Sequence, residues 1–296
     1  MNGIDWADLW SQIFNFSDYG DLIVLLQNSI IAGAVLGIVG GLIGVFVMSR
    51  DMAFAVHGIS ELSFAGASAG LLFGIGVVEG SLIGSIVAAL IIGFLGAKSR
   101  DRNSIIAVLM PFGLGLGILC LALYPGRSAN KFGLLTGQIV AVDDPRLNSL
   151  IAISIIVVVG LLVVWRPLTF ASVDADVAAA RGVPVQTLSI VFMLLLGLAV
   201  AVSVQVVGSL LVLSILVTPA AAALRVSSSP IVVPLLSMLF AVLSLVGGIM
   251  LALGGSVPIS PYVTTISFAI YAVCRIIAAS RARRGISGRK LVALDA

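Results

Sequence analysis

The chain contains a single histidine, His57, four residues before a glutamate, Glu61, within a stretch that is otherwise apolar. On a helix this spacing places both side chains on one face, one turn apart, with Ser60 and Ser63 beside them. A carboxylate at membrane depth is unfavourable unless it is paired, protonated or hydrated. One imidazole nitrogen and one or two carboxylate oxygens form a mixed ligand set that suits divalent cations such as Zn²⁺ or Mn²⁺.

Two ligands are too few for a closed structural metal site. An incomplete site does suit a transport path, where an ion must bind weakly enough to leave. Two alternatives remain open at this point. The pair could hydrogen-bond to each other and lock two helices together, or it could relay protons. The spacing alone supports metal transit and structural pairing about equally.

The composition places this pair in a membrane protein. Of the 296 residues, 60% are hydrophobic and 10% are charged, whereas about 25% of the residues in a soluble domain are charged. The sequence contains none of the patterns GxxxxGK[ST], HExxH and CxxC. We therefore expect an all-α, polytopic membrane protein that is not an enzyme, with no cofactor of its own and no nucleic-acid partner.

Nine windows are long and apolar enough to cross a bilayer, which takes about 20 residues. A division into eight spans stays open, because 53–74 holds the polar pair and 186–224 can be divided differently. The windows are 22–48, 53–74, 80–97, 104–124, 148–165, 186–205, 207–224, 231–253 and 262–280.

The basic residues predict the orientation of the spans. If the C-terminus is cytoplasmic, most of the 16 Lys and Arg residues fall in inside segments, as the positive-inside rule requires. This predicts N-out, C-in. The expected domains are an interfacial segment at 1–21, a transmembrane domain at 22–280 and a basic cytoplasmic tail at 281–296. The inside residues are Arg50, Lys98, Arg100, Arg102, Arg166, Arg181, Arg225, Arg281, Arg283, Arg284, Arg289 and Lys290.

A more polar segment, 166–186, separates two of the windows. It predicts a short cytoplasmic helix at about 170–184, with acidic residues near its start and a basic residue at its end, as the helix dipole prefers. Such a helix indicates a docking surface for a soluble partner. The alternative is an amphipathic linker that rests on the inner leaflet.

Small residues and a proline predict how the spans pack. Gly33, Gly37 and Gly41 form a small-xxx-small ridge that lets helix backbones approach closely, and we favour an intramolecular interface over a dimer seam. Pro219 interrupts an apolar stretch and predicts a kink, because proline has no N–H to donate. We assign that kink to packing in preference to flexing.

Four stretches together resemble the membrane subunits of ABC importers for zinc, manganese and iron, the ABC-3 family. The first runs from GAVLGIVGG to GASAGLLFG, and the second is LLTGQIVAV. The third, FASVDADVAAARGVPV, resembles the family's coupling helix, and the fourth, VVGSLLVLSILVTPAAAALRV, resembles its Val-Gly-x-Leu-Leu signature. The resemblance covers roughly 25–280.

This resemblance implies a vitamin B12-importer-like (type II) permease in a bacterial cytoplasmic membrane. Its implied partners are a second permease subunit (a copy or a paralogue), cytoplasmic ATPases that bind the ATP, an extracytoplasmic metal-binding protein and membrane lipid. The residues implied to couple to the ATPase are Phe170, Asp174, Asp176, Arg181 and Gly182.

By the same resemblance, His57 and Glu61 line the metal path, with Ser60 as a further ligand. Glu61 stands where the family usually has a second histidine, which keeps a ligand but leaves open whether Mn²⁺, Zn²⁺ or Fe²⁺ is carried. Three rival functions remain. They are import of a metal chelate such as a siderophore or cobalamin, secondary transport without ATP, and a structural subunit with no cargo path.

Overall fold

The computed structural model describes residue 20 and residues 26–95, 99–125, 142–253 and 259–292, without the side chains of 99–101 and 282–292. The rest of the predicted interfacial segment 1–21 and of the external stretch LLTGQIVAV lies outside this range. All regular elements in the described ranges are helices. They are α1 Gln27–Ser49, α2 Ala53–Phe73, α3 Val77–Leu95, α4 Ser99–Leu123, α5 Asp144–Val173, α6 Ala175–Ala180, α7 Val185–Val207, α8 Val212–Leu216, α9 Thr218–Val226, α10 Val232–Ala252 and α11 Ile259–Val292.

Seven of the described helices (α1, α3, α4, α5, α7, α10 and α11) are long and apolar enough to cross a membrane. This confirms the expected all-helical, multi-pass architecture. Helix α2 has a sufficient length of 21 residues, but the polar pair and its serines lower its hydropathy. The window 207–224 forms two short helices, α8 and α9, in place of one span. The count of nine spans and the N-out orientation stay predictions.

The glycine ridge of α1 packs against α10, which confirms the predicted intramolecular interface. A Cβ added to Gly37 would lie 2.8 Å from the backbone of Val242, and one added to Gly41 would lie 2.5 Å from the Cα of Met238. The Ser237 hydroxyl donates to the Gly41 carbonyl oxygen at 2.7 Å. Close backbone approach and an interhelical hydrogen bond are the interactions that hold helices together in lipid.

Helix α2 lies between α3 and α4, again through glycines. A Cβ at Gly66 would collide with the Gly80 carbonyl oxygen of α3, and one at Gly113 of α4 would lie 2.7 Å from the side chain of Leu62. Side chains larger than hydrogen would therefore push the helices apart. The absence of a Cβ at these crossings brings α2, which carries the polar pair, into the middle of the helix packing.

The backbone leaves the helical conformation after α7. Gly208 follows α7 with φ +80°, a backbone conformation that glycine adopts at little cost. Helix α8 ends at Leu216, and Pro219 lies in the first turn of α9, where a missing N–H costs no helical hydrogen bond. The interruption lies in the stretch where the sequence predicts a kink.

The segment predicted as one helix at about 170–184 is divided in two. Helix α5 continues through Pro167 to Val173, so Phe170 belongs to α5, and the separate helix α6 has only six residues. Asp174 takes an extended conformation between them (φ −151°, ψ 104°). The cause is local, because an aspartate in that conformation can cap a new helix and thereby end the old one. At the other end of the chain, α11 extends through the start of the basic tail to Val292.

Candidate functional site

His57 and Glu61 lie on one face of α2, as predicted, and are largely withdrawn from solvent. The side chain of His57 is 26% exposed and that of Glu61 is 4% exposed. The distance from His57 Nε2 to Glu61 Oε1 is 3.8 Å, which is longer than a hydrogen bond. The two groups are therefore close enough to face a common ion but are not bonded to each other.

Two polar atoms of the pair lack partners. His57 Nδ1 and Glu61 Oε2 are buried, and neither has a hydrogen-bond partner among the described residues. Leaving a buried polar atom unpaired costs about 1–3 kcal/mol. The hydrogen-bonded pair required by the structural alternative is not formed at this geometry. What the site offers is ligand atoms without an internal partner.

Ser60 lies beside the pair and is fully buried. Its hydroxyl donates to the carbonyl oxygen of His57 at 2.8 Å. This commits the hydroxyl hydrogen and leaves the oxygen lone pairs available to a cation. Across the described ranges, no group of three or more His, Cys, Asp and Glu side chains could hold a metal ion. A cation at this site would need further ligands from serine, backbone, water or another chain.

Ser63, which the sequence places near the same face, has a different role. Its hydroxyl lies 2.7 Å from the Ser81 hydroxyl of α3, and Ser81 in turn donates to the Ala201 carbonyl oxygen of α7 at 3.3 Å. This chain of hydrogen bonds joins three helices within one turn of Glu61. Sequence reasoning missed Ser81, whose only signal was a serine in an apolar span.

The short helix α6 is held by Asp174. The Asp174 carboxylate accepts hydrogen bonds from the backbone N–H of Asp176 at 3.1 Å and of Val177 at 2.9 Å. After α6, Gly182 adopts φ +83°, which turns the chain towards α7. The carboxylate of Asp174 is thus engaged in the fold, whereas Asp176 and Arg181 are exposed.

Apolar side chains are exposed around α6. Phe170 is 38% exposed, Val173 is 83% exposed and Val177 is 46% exposed, while Ala178 is buried. Exposed apolar groups rimmed by charge are typical of a protein-interaction surface. We refer to Phe170, Val173, Asp176, Val177 and Arg181 as the docking segment, after the docking surface that the sequence predicts in this region. The exposure of Val173 and Val177 was not predicted from the sequence.

The chain is similar in sequence and fold to known transport proteins. Residues 23–278 match the family model described as the ABC 3 transport family. The manganese transport system membrane protein MntC of Halalkalibacterium halodurans is 31% identical to this chain over 225 residues. That alignment covers 76% of this chain and 77% of MntC.

Two solved structures share the fold. A chain of PsaBC from Streptococcus pneumoniae, in complex with Fab, superposes with a TM-score of 0.79 at 25% identity, covering 88% of this chain and 95% of that one. A structure described as an inward-facing metal-chelate type ABC transporter has a TM-score of 0.73 at 17% identity, covering 90% of this chain and 93% of that one. The second likeness concerns the fold alone.

Proposed function

The chain belongs to the ABC 3 transport family, and from that premise we propose that it is the membrane-spanning subunit of an ATP-driven importer of divalent metal ions. Manganese is the first candidate cargo, because the relative MntC is named as a manganese transport protein. Zn²⁺ and Fe²⁺ are the further candidates. The chain itself is the permease, and ATP is hydrolysed by a separate cytoplasmic ATPase.

The observation that carries this proposal is the unpaired ligand set of α2. His57 Nδ1 and Glu61 Oε2 are buried without partners in the described structure, and both are atoms of kinds that coordinate divalent cations. A carboxylate beside an imidazole also suits a harder ion than two imidazoles would, which is consistent with Mn²⁺. Two such ligands from one chain are too few for a closed structural metal site.

The remaining ligands would come from a second permease subunit. Two copies of this chain, or this chain and a paralogue, would each present His57 and Glu61 to a shared cleft. That arrangement would give four side-chain ligands, with Ser60 oxygen or water completing the coordination. Each half-site would be incomplete alone, which accounts for unpaired polar atoms inside a single chain.

Transport then links the two sides of a bacterial cytoplasmic membrane. An extracytoplasmic binding protein releases the metal into the cleft, where His57 and Glu61 hold it in passage. On the other side, the ATPase seats against the docking segment, and its ATP-driven closure moves α6 and, with it, α5 and α7. We assign Pro219 a packing role at the start of α9.

Import of a metal chelate is the nearest rival, because a metal-chelate type ABC transporter shares the fold. A chelated metal already has its ligands, so a chelate importer would not need His57 or Glu61. The exposed docking segment argues against a secondary transporter, which has no ATPase to bind.

Uptake in proteoliposomes that contain the chain, its ATPase and its binding protein separates these functions. We expect ATP-dependent uptake of Mn²⁺ or Zn²⁺ and none of a ferric siderophore. Uptake of the siderophore alone would identify the chelate importer. Metal uptake without the ATPase would identify a secondary transporter.

A further inference from the structure

A second polar site lies on the side of the molecule that carries α6. A cavity of about 270 Å³ opens where α2 and α7 begin, beside the end of α3 and the start of α4. Arg102, Gln186 and Ser189 give it a polar end, and Ile92, Met52 and Met193 give it apolar walls. It is separate from the His57–Glu61 site and has no part in the function proposed above.

Arg102 lines this cavity, and a second arginine, Arg50, contacts two of its lining residues. Arg50 Nη2 donates to the Ser189 hydroxyl at 2.6 Å, and Arg102 Nη2 donates to the Arg50 carbonyl oxygen at 3.4 Å. Arg50 Nε and Nη1 and Arg102 Nε are buried, and none of the three has a hydrogen-bond partner in the described residues. Both guanidiniums therefore keep donors that nothing described in this chain satisfies.

The charges are also poorly balanced. Neither arginine forms an ion pair with a described side chain. The Phe192 ring, 5.6 Å from the Arg50 guanidinium carbon, gives only a cation–π contact, and Asp51 offsets part of the charge of Arg102. Burial, followed by the nearby charge of Arg102, lowers the pKa of Arg50. An anion in the cavity beside Arg102 would offset this positive charge.

Two helix N-termini add to the positive potential. Helix α2 begins after Met52 and α7 begins after Pro184, and neither start has a side-chain cap. The positive dipole end of a helix favours anions, and it is this dipole that acts at α7, because the Val185 N–H donates to the Val183 carbonyl oxygen at 2.8 Å. Met52 and Val185 line the cavity, so both helix starts lie at its wall.

We propose that this cavity binds the phosphate group of an anionic phospholipid from the adjacent leaflet. A free phosphate would need only the polar end, whereas the apolar walls suit the first part of an acyl chain. At the end of α3, next to the cavity, Phe94 is 59% exposed and Leu95 is 61% exposed. These side chains form an apolar surface on which the chain can continue. Basic pockets between helices at this level are where anionic headgroups bind in membrane proteins.

Native mass spectrometry of the detergent-purified permease–ATPase complex tests the site, with phosphatidylglycerol and phosphatidylcholine as probes. We expect the complex to retain phosphatidylglycerol in preference to phosphatidylcholine. Arg102→Gln should weaken phosphatidylglycerol binding about tenfold by removing a charge-assisted phosphate contact. Arg102→Lys keeps the charge and should lose less phosphatidylglycerol affinity than Arg102→Gln does. Arg166→Gln, an exposed arginine on α5, is the matched control and should bind as the parent does.

Three results would overturn the assignment. Equal phosphatidylglycerol binding by Arg102→Gln and Arg166→Gln would exclude the cavity as the site. Full displacement of the lipid by inorganic phosphate would make a free anion the ligand. Loss of ATPase association in Arg102→Gln, with lipid binding unchanged, would show that the cavity receives a carboxylate of the ATPase.

Discussion

Asp174 offers a test of the proposed coupling between α6 and the ATPase, because its carboxylate caps a helix of only six residues. A helix this short has no stability of its own in water. Replacing an aspartate cap with alanine costs about 0.5–2 kcal/mol. A central loss of about 1 kcal/mol would lower the ratio of ordered to frayed α6 about fivefold. A frayed α6 would transmit the motion of the ATPase poorly.

The expected consequence is uncoupling. In proteoliposomes, Asp174→Ala should raise the number of ATP molecules hydrolysed per metal ion imported, while the permease and ATPase still co-purify. Asp174→Asn should behave nearly as the parent, because asparagine caps helices as well as aspartate does. Asp176→Asn removes a charge of the same sign from the same turn without touching the cap. If Asp174→Asn uncouples as strongly as Asp174→Ala, the effect comes from charge and the capping argument is refuted.

Three further predictions concern packing and docking. Gly66→Ala should destabilise the detergent-solubilised protein by about 1–3 kcal/mol, because the added Cβ meets a carbonyl oxygen of α3. Gly115→Ala, whose added Cβ has nothing within 4 Å, should leave the thermal unfolding midpoint unchanged. Equal effects of the two substitutions would contradict the close crossing of α2 and α3. Ser81→Ala should lower the free energy of unfolding by about 1 kcal/mol, because it removes the hydrogen bonds that connect α2 with α7. Ser203→Ala, whose hydroxyl bonds only within α7, should lower it clearly less in the same assay. Val173→Asp should weaken ATPase association in pull-down experiments without lowering thermal stability, since the side chain is 83% exposed; a stability loss of similar size would mean that it packs within the chain.

Features set by local spacing were predictable from the sequence. The i, i+4 relation of His57 and Glu61 puts them on one face of any helix, and the spacing of Gly33, Gly37 and Gly41 puts them on one ridge. The cap at Asp174 was also within reach, because an aspartate before a run of alanines is a helix-start signal. The predicted helix at about 170–184 instead ran across that start.

Features set by distant contacts were not predictable. Arg50 and Ser189 are 139 residues apart in sequence, and nothing in either local pattern indicates that they meet. The same holds for Ser81, which reaches a carbonyl oxygen 120 residues away. The break between α7 and α8 depends on the positive φ of Gly208, and a glycine in an apolar span predicts close packing as readily as a break.

The most direct test of the metal path is Mn²⁺ uptake by the complete transporter carrying His57→Ala and Glu61→Ala together. The measurement is made on complexes that assemble and hydrolyse ATP as the parent complex does. Our account predicts that uptake falls at least about tenfold, because the cation loses both side-chain ligands from each permease copy. Parental uptake in such a complex would contradict it, since the ion would then cross without the imidazole and the carboxylate.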